Sequence, residues 1–230
     1  MHPLKIGIIA LLLLQTGCAN NSAANFKLSH LAKSDIDSVT DMHIQEVRKL
    51  SQELTIKLYK RNPRELSKAP PGTTIQKRLD QIFSDQRLHG YSELNGVKST
   101  AAITLSFNEA FEGDRVFALM AGISSMLYAA YNYQDEFYIL DEIDQQKLYN
   151  SARNLESVSW QLNNRKDING ERYILSNGIS ATGIRNLSYE RLFGKLISLQ
   201  DMMALLIADT TNRNITRVVQ SAASMTFLPI

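Results

Sequence analysis

The sequence predicts an all-α protein: a single helical bundle or array of about six to eight helices around one buried central helix, with room for one small hairpin in the 166–187 loop. Three observations point there. Five prolines and eleven glycines in 230 residues are too few for a many-turned β-sandwich. Apolar side chains recur at three- and four-residue spacing over several long segments. Residues that favour helix starts, Ser34, Thr73, Asp114 and Asp144, stand just ahead of those segments.

The chain opens with MHPLKIGIIALLLLQTGC. Lys5 supplies a positive charge, Ile6 to Leu14 carry no polar side chain, and Thr16 and Gly17 are small residues ahead of a cysteine. This is the pattern of a secretory signal, and it falls short of the roughly 20 residues a transmembrane helix needs. Cys18 is the single cysteine of the chain. Read from these residues alone, it is either a modified residue or an incidental thiol near the cleavage site of an exported protein.

Placed directly after Gly17, Cys18 resembles the lipobox cysteine of bacterial lipoproteins, with Gln15 standing where that family usually carries Leu. The resemblance implies a lipoprotein signal peptide over residues 1–17, diacylglycerol on the Cys18 thiol, cleavage just before Cys18, and acylation of the freed amine. Each buried CH₂ contributes about 0.8 kcal/mol, so two or three acyl chains together hold a protein to its membrane. Ala19, where Asp would signal retention, implies by resemblance to Gram-negative lipoproteins an outer-membrane anchor facing the periplasm.

Residues 18–33 hold the lipidated cysteine and then a polar, small-residue stretch without sustained period, as expected of a flexible tether. Residues 34–230 form the helical periplasmic domain. Ser34 with Asp37 makes a capping pair, and Ile36, Val39, Val47, Leu50, Leu54 and Leu58 share a face, so a first helix is expected to about Lys60. Asn62-Pro63 redirects the chain, with a helical turn expected over 64–68. The Ala69-Pro70-Pro71-Gly72 break precedes a short helix capped by Thr73 and Gln76, with Ile75, Leu79 and Phe83 inward. Residues 89–96 read as a loop.

A helix is expected over 99–112, closed by Gly113. Asp114 then caps a segment with large residues at Val116, Leu119, Ile123, Leu127 and Tyr131. A separate small stripe runs through Ala118, Gly122, Ser125 and Ala129. Two apolar faces require partners on two sides, so 114–133 is the expected central helix. Residues 134–144 break the period and carry five acids. Asp144 opens a helix to about Asn164 through Leu148, Ala152, Leu155, Ser159 and Leu162. The irregular 165–187 stretch has Asn-Gly turns at 169–170 and 177–178 around Tyr173-Ile174-Leu175, which leave room for a small hairpin there. A last long helix, with Leu192, Leu196, Leu199, Met203 and Leu206, runs from Ser188 to near Thr210. A further helix is possible from Asn214, and the apolar tail 227–230 is expected to pack.

Chemistry-bearing patterns are sparse. His30, His43 and His89 have no partner at ligand spacing. The run 178–183 resembles a nucleophile elbow around Ser180 only loosely, because its second glycine falls one residue late, and the stretch around Ser124 lacks that glycine. Asp135, Glu136, Asp141, Glu142 and Asp144 lack the order of a calcium loop. Glu109 and Glu112, at i and i+3 on the expected helix, could stand as paired carboxylates. A net charge of +2 leaves no electrostatic footprint for nucleic acid. No catalytic, cofactor or metal residue is assigned, and the site residue is Cys18. The segment 56–66, IKLYKRNPREL, is similar to a proteobacterial group of helical lipoproteins without an assigned activity.

The resulting expectation is a lipid-anchored envelope protein, bound to the membrane and to an envelope protein partner, acting as a non-catalytic interaction, assembly or structural component. The alternatives are an envelope hydrolase acting on peptidoglycan or lipid, and a small-ligand or lipid binder.

Overall fold

A computed structural model describes residues 34–138, 141–180, 182–217 and 226–230. Among them are seven α-helices: α1 Asp35–Arg61, α2 Pro63–Leu66, α3 Ile75–Ile82, α4 Ser99–Ser106, α5 Arg115–Ala130, α6 Gln145–Asn164 and α7 Ser188–Thr211. A two-stranded antiparallel ribbon, β1 Gly178–Ile179 with β2 Arg185–Asn186, sits between α6 and α7. The all-α array is therefore as expected. No helix among the described residues is long and apolar enough to cross a membrane.

Local chemistry sets most helix starts. The Ser34 hydroxyl and the Asp37 carboxylate form a reciprocal capping box at the start of α1. Asp114 and Asp144 accept from the Phe117 and Gln146 amides at the starts of α5 and α6. Pro63 occupies the first turn of α2, where its missing N–H costs nothing. The cap of α3 is Thr74, one residue later than expected; Thr73 instead donates its hydroxyl to the Pro70 carbonyl.

Helix α5 is the centre. Apart from Tyr128, each of its residues is buried, and it contributes to both hydrophobic clusters of the domain. Its small face lies against α4: a Cβ at Gly122 would stand 2.7 Å from the Ile103 backbone nitrogen and 2.8 Å from the Ser99 carbonyl oxygen. The Ser125 hydroxyl accepts the Ser99 amide at 2.7 Å. Pairings of Tyr59 with Asp114 and of His43 with Tyr131 run α1 antiparallel to α5. Arg153 with Asp201 and Ser159 with Glu190 do the same for α6 and α7. The helix ends at Ala130 rather than 133, because Asn132 and Tyr133 both adopt left-handed backbone and Tyr133 turns its amide back to the Tyr128 carbonyl.

Three expectations are corrected. The helix expected over 99–112 stops at Ser106, because the Arg115 guanidinium takes the carbonyls of Ser106 and Asn108 at 3.0 and 2.7 Å and bends the following chain around itself. A small hairpin does form within the 166–187 loop, but not on Tyr173-Ile174-Leu175. Tyr173 and Ile174 are buried in the main core, and the ribbon forms after them. Leu175 is held by both ends of the Asn62 amide, at 2.7 and 2.8 Å. Residues 213–217 are not helical, and 218–225 lie outside the described residues. The tail packs as expected: Asn154 pairs with both backbone groups of Leu228 and Asn150 donates to the Pro229 carbonyl.

Candidate functional site

The strongest concentration of ionisable groups surrounds the N-terminus of α5. Arg78, on α3, has no side-chain exposure, yet it carries a full charge. Two of its nitrogens meet the Glu93 carboxylate at 2.9 and 2.8 Å, a bidentate geometry suited to a planar guanidinium. Its Nε faces Asp114 Oδ2 at 3.3 Å, within ion-pair distance but not aligned as a hydrogen bond. The guanidinium plane lies over the Phe117 ring at 3.8 Å. Burial works against this charge, but the Glu93 hydrogen bonds and the nearby Tyr59 and Asp114 outweigh it and raise the Arg78 pKa.

Asp114 is drawn on from several sides. Its Oδ1 accepts the Phe117 amide at 2.9 Å and its Oδ2 accepts the Tyr59 hydroxyl at 2.8 Å. Burial pushes its carboxyl up to about 6, against the opposing pull of Phe117, Tyr59 and Arg78. Burial and the adjacent Asp114 charge push the Tyr59 hydroxyl upward as well. Beside them, the buried Glu65 accepts the Arg115 amide at 2.9 Å and binds Lys68 at 2.9 Å. Two carboxylates, one from the cap and one from α2, thus sit where the α5 N–H groups and helix dipole favour negative charge.

A cleft of about 430 Å³, lined by Lys68, Pro70, Pro71, Glu93, Gly113 and Asp114 among others, opens onto this cluster. Both Asp114 oxygens are engaged, so the arrangement couples four segments, α1, α3, the turn Ser92–Leu94 and α5, through one buried charge centre. A second concavity beside α5, between Val47, Phe83, Leu127 and Tyr131, is rimmed by Arg48, Arg87 and Asp135. At about 30 Å³ it has room for one water. Arg87 closes it, its Nη2 donating to both Asp135 oxygens at 2.8 and 2.7 Å and its guanidinium stacking on Tyr128 at 3.6 Å.

The residues singled out in the sequence are placed as follows. Cys18 and His30 lie outside the described residues. His43 is buried against Tyr131, and burial lowers its pKa; His89 is exposed. Glu109 and Glu112 do not share a helix, since α4 has ended; Glu109 accepts the Tyr173 hydroxyl and Glu112 is exposed. Ser180 lies in the exposed turn of the ribbon, where its hydroxyl accepts the Ile184 amide. Ser124 is buried and donates to the Ile82 carbonyl.

The acids of 135–144 do not converge. Asp135 pairs with Arg87, Asp141 caps the Tyr138 amide, Asp144 caps α6, and Glu142 lies 3.7 Å from Arg213. No group of three or more His, Cys, Asp or Glu among the described residues is placed to hold a metal ion. Sequence reasoning assigned Asp114 its cap but missed Arg78 and Glu65. A charged residue in an amphipathic helix reads as surface, and the signal that could have marked Arg78 is its spacing, three residues after Ile75 and four before Ile82. No family model matches this chain, and neither the curated proteins nor the solved structures include one similar to it.

Proposed function

We propose that this chain is a lipid-anchored protein of the Gram-negative cell envelope, held through Cys18 to the outer membrane and facing the periplasm. Its helical domain acts by contact, as an interaction, assembly or structural component. The observation that carries the anchor is the run MHPLKIGIIALLLLQTGC, with a positive charge, a short apolar core and a single cysteine after small residues. The contact role is supported by how the domain spends its ionisable groups. Asp114, Glu65, Arg78 and Arg115 are all committed to joining helix ends to one another, which makes a firm body on which surface loops are displayed.

The anchor is tested by growing cells with a clickable fatty acid. The expected result is label on the wild-type polypeptide and none on Cys18→Ser, with the variant released from the membrane fraction. Absence of label on the wild type sinks the anchor. The contact role is tested by crosslinking in intact cells, where recovery of the same envelope protein across independent captures is expected, and recovery of no specific neighbour counts against it.

A further inference from the structure

The ribbon and the end of α1 form a surface that none of the preceding roles uses. Ile179 and Ile184, on either side of the ribbon turn, are 67% and 71% exposed. Arg185 is the cross-strand partner of Ile179. Arg61, in the last turn of α1, reaches to within 3.4 Å of where a Cβ on Gly178 would lie. Arg172 donates to the Asn177 carbonyl at the foot of the ribbon, and Arg64 donates to the Arg172 carbonyl. Arg61 and Arg64, both from the segment 56–66, therefore stand beside the ribbon and its foot.

Arg64 is paired with the buried Glu65 at 3.4 Å, but the other acids nearby do not neutralise this cluster. Glu190 is taken up by the uncharged groups of Ser159, Asn163 and Asn177, and Asp167 by backbone amides of its own turn. Glu171 is exposed on the neighbouring turn. Arg61, Arg172 and Arg185 have no ion pair shown among the described residues. Ile179 shares one face of the ribbon with Arg185 while Ile184 lies on the other, so each face of the ribbon end carries an exposed aliphatic side chain, with Arg61 and Arg172 at its foot. That combination suits an anionic lipid surface, where apolar tips enter the headgroup boundary and guanidinium groups meet phosphates. A stable protein interface uses about 20–30 residues a side, far more than this narrow ribbon offers.

We propose that the ribbon tip and the arginines around it dock the domain onto membrane bearing anionic phospholipid. This rests on the envelope reading above, and it adds a second, reversible contact to the anchor. From Cys18 the sixteen residues to Ser34 can extend up to about 55 Å. That exceeds the roughly 40 Å length of the 27-residue α1, so a docked ribbon and an anchored Cys18 are sterically compatible.

The test places a reporter at the tip. In the full chain carrying Cys18→Ser, so that no acyl anchor reaches the vesicle, Ile184→Trp is combined with Trp160→Phe, which removes the single native tryptophan, and the protein is mixed with vesicles whose lipids carry brominated acyl chains. Fluorescence quenching is expected with phosphatidylglycerol-containing vesicles and not with phosphatidylcholine alone. Each arginine near an anionic surface is worth about five-fold in partitioning, so Arg61→Ser with Arg185→Ser should weaken the quenching interaction by roughly 25-fold. The proposal is overturned by absence of quenching on anionic vesicles, by equal quenching on phosphatidylcholine, or by indifference to loss of the arginines. A photocrosslinker at position 184 that captures an acidic protein in cells, rather than lipid, overturns it too. The signal arises at residue 184, so it fails or succeeds independently of whether Cys18 takes up fatty acid.

Discussion

Gly122 and Gly194 should respond in opposite directions to the same added methyl group. At Gly122 a Cβ would meet Ile103 Cγ1 at 2.7 Å, the Ile103 nitrogen at 2.7 Å and the Ser99 carbonyl oxygen at 2.8 Å. Comfortable carbon contacts lie near 3.5–4.0 Å, so α4 must be displaced by most of an ångström. Two of the three obstacles are backbone atoms, which cannot rotate aside. Overpacking of this kind costs about 1–3 kcal/mol, and relief of glycine's entropy in a helix returns about 0.5–1 kcal/mol. The net loss for Gly122→Ala is about 0.5–2 kcal/mol.

At Gly194, in α7, a Cβ would meet nothing within 4 Å, so Gly194→Ala should gain about 0.5–1 kcal/mol. For a chain of this size each kcal/mol moves Tm by about 2–4 °C. Thermal unfolding followed by circular dichroism should therefore place Gly122→Ala roughly 1–8 °C below wild type and Gly194→Ala a few degrees above it. Gly122→Leu, with three more carbons to house, should fall further. If Gly122→Ala melts with or above wild type, close approach of α4 to α5 does not set the packing of the centre.

Other outcomes follow from the charge centre and the amide clamps. Asp114 has a folded pKa of about 6 against an ordinary 3.8, so the folded state holds more protons between those values. Its contribution is fully present below about pH 4 and is lost as pH rises through 6. The urea midpoint of wild type relative to Asp114→Asn should accordingly fall from pH 4 to pH 7, and a flat difference would contradict the assignment. Arg78→Met removes the partner of Asp114 and Glu93 and should cost about 3–5 kcal/mol by leaving buried charge uncompensated, read from the same midpoints; a loss under about 1 kcal/mol would show that the centre is not held by this cation. Asn62→Ala frees both backbone groups of Leu175 and should cost about 2–3 kcal/mol, with faster hydrogen exchange confined to 173–177. Asn154→Ala unpairs Leu228, so carboxypeptidase should trim the last residues faster while the core melts nearly as before.

What could be foreseen from sequence was decided within a few residues. Ser34 and Asp37 bond to each other, Asp114 and Asp144 cap helices they adjoin, and the two faces of α5 follow from spacing alone. What could not be foreseen was decided at a distance. The end of α4 depends on Arg115, which lies nine residues on and across a turn. The site of the hairpin depends on Asn62, whose amide fixes Leu175 from 113 residues away. The charge centre combines a capping signal that was legible, Asp114, with Arg78, whose burial is set by Glu93, Asp114 and Phe117 folding around it.

Asn62 has one more property that its neighbour confers. Asparagine ages to aspartate when the nitrogen of the following residue attacks the side-chain amide to close a five-membered ring, and this requires a hydrogen on that nitrogen. Pro63 has none. The exposed Asn169-Gly170 pair, by contrast, is open to this decay, and it sits in a turn where an extra negative charge is easily hydrated. The amide that stitches two distant parts of the chain together is thus chemically shielded by the same dipeptide that turns α1 into α2.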